Sequence, residues 1–293
     1  MKKDFEPIRV GVIGGSGLYE MPEISQVEER TVETPFGKPS DAYILGTLAG
    51  RRVAFLPRHG RGHRLLPSEL NFRANIYGFK LLGVERLLSA GAVGSMRESI
   101  GPLDVVLPDQ YIDRTRGRAS TFFGEGVVAH VSFAEPICPQ LRSLLAEAAR
   151  KVRARMHDGG TYLCMEGPAF STRAESLLYR SWGVDVIGMT SLQEAKLARE
   201  AEICYATIAL VTDYDCWHAS EEQVSVEQIL ANLRLNAETA SGLLREAIAA
   251  LPEERTCSCG TALRAAVITE PASIPEEARR RLAVLLESLL TSG

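Results

Sequence analysis

An apolar run that ends in acidic residues is the feature that most restricts how this chain can fold. Residues 204–211 are eight strand-compatible residues, followed directly by Thr212-Asp213-Tyr214-Asp215. Such a run predicts a buried strand whose carboxyl end opens into a site. In an extended chain Asp213 and Asp215 project from the same face, where repulsion favours a proton on one of them. The pair suits a ring that donates hydrogen bonds, such as a 6-aminopurine. Two solvated loop aspartates are the alternative.

Composition limits the class of protein. Of the 293 residues, 45% are hydrophobic and 24% are charged, as in ordinary globular proteins. The net charge of −4 argues against a nucleic-acid partner. No apolar run approaches the roughly 20 residues that span a bilayer, and no apolar signal core follows Met1. We therefore expect a cytoplasmic protein with no membrane partner.

Strand and helix patterns alternate along the chain, which predicts an α/β fold: a single domain with a mixed central sheet flanked by helices. Domain boundaries at 1–252, with a C-terminal extension at 253–293 packed on the same domain, are the expected organisation. The expected strands are 9–13, 42–48, 52–56, 87–91, 105–107, 161–165, 184–188 and 204–211, with the second and third forming a hairpin. The expected helices are 68–82, 139–155, 173–181, 193–201, a long helix from the Ser225/Gln228 capping pattern to Leu251, and one after Pro275.

The cysteine and histidine spacings give no metal signature. Among the six cysteines none has the C-x2-C spacing of a zinc ribbon, so we expect no metal site. Cys257-Ser258-Cys259 is interpreted as reduced thiols or as a disulfide. His59 and His63 are four residues apart, but the glycines between them disfavour the helix that a metal pair would need.

Three segments could bind an anion, a sugar or a base. Gly14-Gly15-Ser16-Gly17 could bind phosphate through its backbone N–H groups, although a plain tight turn is equally compatible. Residues 57–64 contain Arg58, His59 and His63, which suit a grip on phosphate or form a solvated basic loop. Glu166 and Phe170 could accept a sugar hydroxyl and stack on a base, or serve only in packing.

Taken in order, the motifs form a specific combination. They are Gly14-Gly15-Ser16-Gly17-Leu18, Pro57-Arg58-His59-Gly60-Arg61-Gly62-His63, residues 109–115, Cys164-Met165-Glu166-Gly167-Pro168, Gly188-Met189-Thr190 and residues 212–217. From about residue 8 to residue 251 the chain resembles the S-methyl-5′-thioadenosine phosphorylase branch of the trimeric purine nucleoside phosphorylase superfamily. The resemblance implies a fold of the purine nucleoside phosphorylase type and self-association into a trimer, or into a hexamer built from two trimers.

The resemblance also implies roles for particular residues. Phosphate would be held by Ser16, Arg58, His59, the backbone at Gly91 and Ala92, and Thr190. The nucleoside would be bound by Met189, Phe170, Ser171, Glu166, Asp213 and Asp215, with Val226, Ile229 and Leu230 around the 5′-methylthio group. His63 and His130 would lie at the mouth of the site, His130 next to a neighbouring subunit. Many relatives have serine or threonine in place of Gly91 and proline in place of Gln193. The first difference puts one phosphate contact in doubt.

The implied reaction is phosphorolysis of S-methyl-5′-thioadenosine to adenine and S-methyl-5-thio-α-D-ribose 1-phosphate, in purine and methionine salvage. Asp213 would act as general acid at N7, and Asp215 would accept a hydrogen bond from the 6-amino group. Inorganic phosphate is a co-substrate, and no cofactor is expected. The alternatives are phosphorolysis of adenosine or of a 6-oxopurine nucleoside such as inosine or methylthioinosine, hydrolysis, and a non-catalytic nucleoside sensor.

Overall fold

The protein consists of alternating strands and helices. A computed structural model describes residues 8–15, 18, 21–218 and 226–290. Side chains are described for all of these residues except 226–231 and 288–290. The strands are β1 Val10–Gly14, β2 Ser25–Arg30, β3 Tyr43–Leu48, β4 Arg51–Pro57, β5 Arg86–Ser95, β6 Val105–Leu107, β7 Gln110–Arg114, β8 Met156–Asp158, β9 Thr161–Met165, β10 Val186–Gly188 and β11 Cys204–Asp213. The helices are α1 Phe72–Leu82, α2 Pro139–Lys151, α3 Arg173–Ser181, α4 Ser191–Glu200, α5 Val226–Ala249, α6 Glu276–Arg281 and α7 Ala283–Leu290. None of the described helices is both long and apolar enough to cross a bilayer.

All the strands of the described residues join one mixed sheet. Its main path runs in the order β2-β3-β4-β1-β5-β10-β9-β7, while β11 pairs with β5 and β6, and β8 pairs with β6. The β1, β4, β5 and β11 strands are parallel neighbours, whereas β10 is antiparallel to β5. Helices cover this sheet, which confirms the predicted α/β class with a mixed sheet flanked by helices.

The core between the sheet and the helices is closely packed. Tyr43 on β3 is fully buried, and its hydroxyl donates a 2.6 Å hydrogen bond to the carbonyl oxygen of Asn75 in α1. A Cβ atom at Gly78 would lie 2.8 Å from Cζ of Tyr43, so the helix needs glycine there to approach the sheet. The same continuous core includes Leu263, Leu285 and other apolar residues beyond 252.

Several expected boundaries are wrong for identifiable reasons. The helix expected over 139–155 ends at Lys151, because Arg153 has a φ of 57° and the chain then enters β8. The single helix expected after Pro275 is two short helices that meet at Leu282. The β2 strand was not predicted, because it is an exposed edge strand of mostly polar and charged residues without an alternating apolar pattern. Ser225, the expected cap of α5, lies outside the described residues.

Glu200 generates a prediction about pH and stability. Burial raises the pKa of its carboxyl from 4.5 to about 7, although Thr121 Oγ1 and the Phe122 N–H each donate to it at 2.7 Å. Because the folded chain holds this proton more tightly, its stabilising effect is complete below about pH 4.5 and is lost as the pH rises through about 7. Glu200→Gln should therefore raise the melting temperature at pH 8 relative to the wild type, by an amount equivalent to at most about 3 kcal/mol.

The measurement is a thermal melt of both proteins between pH 5 and pH 8, and the difference should shrink as the pH falls. The exposed Glu147 of α2 offers a control, Glu147→Gln. A difference for Glu200→Gln that is the same at every pH would contradict this account.

Candidate functional site

A gap beside the central strand β5 forms the centre of the site. On one side of β5, β1 pairs as far as Ser89 and β10 pairs with Gly94 and Ser95. In the described register, residues 90–93 therefore have neither strand next to them on that side. Gly91 is half-buried and Ala92 is exposed, although they lie in the middle of a strand that is otherwise largely buried. Backbone N–H groups in such a gap can reach a ligand.

Arg58 lies beneath this gap in a buried ionic network. Its guanidinium makes a two-pronged contact with Glu194 of α4, with Nε–Oε1 at 2.5 Å and Nη2–Oε2 at 3.2 Å. Nη2 also donates to Ser89 Oγ at 2.7 Å, and Nη1 donates to the carbonyl oxygen of Ala90 at 2.8 Å. Both charged side chains are almost completely buried, so the alternative of a solvated basic loop is wrong for Arg58.

One N–H group of the Arg58 guanidinium is available to a ligand. Of its five N–H groups, one on Nη1 has no partner among the described residues. A Cβ atom at Gly91 would lie 3.5 Å from this Nη1, so the nitrogen is next to the gap. The geometry can supply a hydrogen bond to a ligand there, while Glu194 already neutralises the charge.

His59 continues the network as a neutral side chain. Nδ1 lies 2.8 Å from the carbonyl oxygen of Leu65, to which it donates in the neutral tautomer. Burial, followed by the positive charge of Arg58, lowers the pKa of His59 to about 4. The exposed His63 ring stacks on it with 4.3 Å between centroids. Nε2 of His59 is then an acceptor that suits a protonated phosphate oxygen or a hydroxyl.

The amino end of α4 faces the same gap. By register, β10 runs antiparallel to β5 and ends at Gly188, next to the unpaired stretch 90–93. Thr190 precedes α4 and is buried, and its hydroxyl makes no capping hydrogen bond to the helix. A helix N-terminus with an uncommitted hydroxyl is a favourable anion contact.

The acidic pair lies at the other end of the gap. The β11 strand is longer than predicted and includes Asp213, with an irregularity after Val211 that brings Asp213 opposite Gly94. A Cβ atom at Gly94 would lie 3.2 Å from Asp213 Oδ1 and 3.4 Å from Asp215 Cβ, so both acids approach this glycine. The Thr212 hydroxyl donates to Asp213 Oδ2 at 2.6 Å. The structure therefore brings the two aspartates together, and the alternative of two solvated loop aspartates is wrong for the buried Asp215.

Two helices hold the acidic pair in place. Ser176 of α3 is fully buried and donates a 2.6 Å hydrogen bond to Asp215 Oδ2. In α5, Asn232 donates to the Thr212 carbonyl oxygen at 2.6 Å and Asn236 donates to that of Val211 at 2.9 Å. Burial raises the pKa of Asp215, and the Ser176 hydrogen bond opposes this rise. The largest cause is thus burial and not the repulsion between carboxylates expected from the sequence.

Arg118 is a site residue that the sequence did not indicate. Its side chain is only 3% exposed, and Nε pairs with Glu166 Oε1 at 3.1 Å. Its other nitrogens donate to the carbonyl oxygens of Glu166 and Met189 and to Gln193 Oε1. Gln193 is itself anchored to Thr115. Arg118 thereby joins the segments that carry Glu166 and Met189, through partners too distant in sequence for any spacing pattern to reveal.

A small cavity lies next to these segments. It has a volume of about 250 Å³, and its lining includes Met189, Phe170 and His63 together with Leu65, Leu66 and Pro168. Gly167 has a φ of 68°, and a Cβ atom there would lie 2.5 Å from the Met189 sulfur, so glycine is required. Ser171 is half-buried beside this segment, where its hydroxyl contacts the Met165 sulfur at 3.7 Å.

Other predicted residues are elsewhere or undescribed. His130 is exposed, and its N–H donates to the carbonyl oxygen of Ala266 in the C-terminal region. It is not among the residues that line the small cavity. Ser16 lies outside the described residues, as do the side chains of Val226, Ile229 and Leu230. A larger cavity of about 890 Å³ lies between the carboxyl end of α2 and the second half of α5, and it is lined by none of the predicted site residues.

Comparison with known proteins agrees with this architecture. The model of the phosphorylase superfamily matches residues 9–249, and the chain belongs to this family. Among its relatives is an S-methyl-5′-thioadenosine phosphorylase from Koribacter versatilis, 61% identical over 277 residues that cover 94% of this chain and 95% of the relative. The enzyme of the same name from Geobacter sulfurreducens is 60% identical over 280 residues, covering 95% of this chain and 98% of the relative.

Solved structures give the same result. A methylthioadenosine phosphorylase from an Antarctic soil metagenomic library superposes with a TM-score of 0.93 at 49% identity, covering 96% of this chain and 100% of that one. The Schistosoma mansoni methylthioadenosine phosphorylase in complex with adenine superposes with a TM-score of 0.83 at 38% identity, covering 88% and 96%. The resemblance inferred from the sequence motifs is thereby confirmed.

The Ser176 contact generates a prediction about ligand binding. Ser176→Ala removes a donor to the ionised carboxylate, so the pKa of Asp215 should rise further. Ionised Asp215 is a stronger acceptor for an amino group than the protonated acid, so adenine affinity should begin to fall at a higher pH in the variant. Calorimetric titration with adenine across pH 4 to 8 measures this. The exposed Ser181 of the same helix provides the control variant Ser181→Ala, and an unshifted pH profile for Ser176→Ala would contradict the assignment.

Proposed function

We propose that this chain catalyses the phosphorolysis of S-methyl-5′-thioadenosine, giving adenine and S-methyl-5-thio-α-D-ribose 1-phosphate. One observation carries the proposal: along β5, the gap at Gly91 and Ala92 lies two or three residues from Gly94, where Asp213 and Asp215 converge. A nucleoside placed between them would have its base at the acids and its C1′ atom towards the phosphate. The names of the relatives described above support the same substrate.

The phosphate half of the reaction would use hydrogen bonds more than net charge. Arg58 is neutralised by Glu194 and His59 is neutral at pH 7, so the available donors are the remaining Arg58 N–H, the Thr190 hydroxyl and backbone N–H groups. Ser16 belongs to the proposal through the family resemblance. Preorganised donors would orient the phosphate beneath C1′. The negative charge of the phosphate would then stabilise the cation-like sugar.

The base half of the reaction would use the two aspartates as a unit. Electrons that flow into the departing adenine require a proton at N7, which Asp213 would supply or share, while Asp215 accepts from the 6-amino group. Burial raises the pKa of Asp215, so the pair retains a proton more readily than two exposed carboxylates would. Glu166, held by Arg118, would accept a sugar hydroxyl, and Met189 and Phe170 would lie against the sugar and base. This chemistry needs no cofactor.

Self-association is part of the proposal, as a trimer or a pair of trimers. Phe170 lines the small cavity yet is 62% exposed, and His130 is exposed on a segment joined to the C-terminal region. A neighbouring subunit that contributes His130 to this opening would cover both residues. We propose the same arrangement around the 5′ group, with Val226, Ile229 and Leu230 on its other side.

The decisive experiment is the release of free base from three nucleosides, with and without phosphate. Adenine should appear fastest from methylthioadenosine, more slowly from adenosine, and only when phosphate is present. Faster turnover of inosine would establish a 6-oxopurine enzyme. Release without phosphate would establish a hydrolase, and binding without any release would establish a sensor.

Asp213→Asn should change which base is accepted. The amide can donate a hydrogen bond to the 6-oxo oxygen of a 6-oxopurine. Unlike a carboxylic acid, it cannot supply the proton that N7 needs. We expect methylthioadenosine turnover to fall at least about 100-fold and the ratio of inosine to methylthioadenosine activity to rise. Steady-state kinetics on both nucleosides measures this. Asp185→Asn, outside the acidic pair, is the control, and an unchanged ratio would contradict the role of Asp213.

Gly91→Ser should restore a hydroxyl to the phosphate region. The new Cβ would lie 3.5 Å from Arg58 Nη1, an ordinary contact, so the strand can accept it. One added hydrogen bond to a charged ligand is worth about 1 kcal/mol or more, so KM for phosphate should fall roughly fivefold. Gly91→Ala adds the same Cβ without the hydroxyl and is the matched control. Equal phosphate KM values for the two variants would show that this hydroxyl makes no contact.

A further inference from the structure

Four cysteines from three distant parts of the chain meet at one place in the fold. Cys138 immediately precedes α2, Cys204 begins β11, and Cys257 and Cys259 belong to the short turn of 3-10 helix after residue 256. Three of them are buried and Cys257 is half-buried. The spacing of the cysteines along the chain gave no metal signature, because separate segments contribute these four residues.

The sulfur atoms form a compact group. All four Sγ atoms lie within 4.8 Å of one another, and those of Cys204 and Cys257 are 3.3 Å apart. Around a tetrahedral zinc ion with Zn–S bonds of about 2.3 Å, the sulfur atoms are about 3.8 Å apart. The observed group therefore needs only small side-chain adjustments to surround one ion.

We propose that Cys138, Cys204, Cys257 and Cys259 bind one structural Zn²⁺ ion. Thiolates are soft ligands that select zinc among the common divalent ions, and four protein ligands leave no open position for chemistry. Binding converts four thiols and Zn²⁺ into a tetrathiolate complex of charge −2 and releases four protons, with no change of oxidation state. Disulfide formation among the same residues would instead require an oxidant.

The surroundings favour the negative charge of such a complex. Cys138 lies at the amino end of α2, where the positive end of the helix dipole favours a thiolate. A Cβ atom at Gly260 would lie 2.8 Å from Arg255 Nη2, so a guanidinium lies against the turn that carries Cys257 and Cys259. Arg255 is held there by a 2.8 Å hydrogen bond to the carbonyl oxygen of Glu202. The positive end of the α2 dipole thus lies at Cys138, and a guanidinium that also pairs with Glu85 at 3.8 Å lies at the turn of Cys257 and Cys259.

The ion would join the C-terminal region to the body of the protein. Cys257 and Cys259 belong to the region beyond 252, whereas Cys138 and Cys204 begin a helix and the central strand β11. Cys204 is at the opposite end of β11 from Asp213, roughly 30 Å along the strand, so the ion has no part in the reaction. Its loss should weaken folding without changing the catalytic groups.

Metal analysis of the full chain tests the proposal. Protein purified under reducing conditions without chelator should contain about one zinc ion per chain, as measured by elemental mass spectrometry. Replacement of zinc by Co²⁺ in the wild type should give the intense visible absorption of tetrahedral tetrathiolate cobalt. This readout does not depend on any variant remaining folded.

Variants then assign the ligands. The double variant Cys257→Ser, Cys259→Ser should retain less than about a tenth of the zinc of the wild type and should melt at a lower temperature. Cys164→Ser, at a buried cysteine outside the group, should keep its zinc. A reduced wild-type chain that takes up neither zinc nor tetrahedral cobalt when supplied with either ion would overturn the proposal. A zinc content unchanged in the double variant would overturn it equally.

Discussion

The buried ion pair between Arg58 and Glu194 is the interaction on which the site depends. It connects the end of β4 to α4, and through Ser89 and Tyr205 it also contacts β5 and β11. A buried pair of this kind is strongly destabilising when one partner is removed, because the other charge is left without compensation. The contacts that position Arg58 in the proposed phosphate site therefore also hold β4, β5, β11 and α4 together.

Neutralisation of Arg58 would shape the proposed chemistry. A guanidinium without a carboxylate partner would hold phosphate mainly by charge. With Glu194 in contact and His59 neutral, the proposed phosphate site would offer oriented dipoles and single N–H groups. Such donors stabilise charge in a defined geometry, which is what an attack on one sugar carbon requires.

The sequence predicted the strands better than the connections between them. The apolar run of β11 and its terminal aspartates are evident because a buried strand and a polar end occur together in fourteen residues or so. Arg58 was predicted to bind an anion but not to form half of a buried pair, since Glu194 is 136 positions away. Arg118, Ser176 and the cysteine group were missed for the same reason: each acts through partners that only the folded sheet brings together. The charged edge strand β2 carries no apolar pattern, so it could not be recognised either.

The continuous backbone of β5 from Gly91 to Gly94 restricts the size of the substrate that fits the proposed site. Both reactants would touch one continuous stretch of backbone, so the separation of oxyanion and heterocycle is set by covalent geometry and by the ladder with β11. A strand of this kind fixes the distance between the two binding regions, so it accepts ligands of one length. Insertion or loss of a single residue here would shift one reactant relative to the other and turn every following side chain to the opposite face of the sheet. Divergence within such a strand is therefore restricted to substitution.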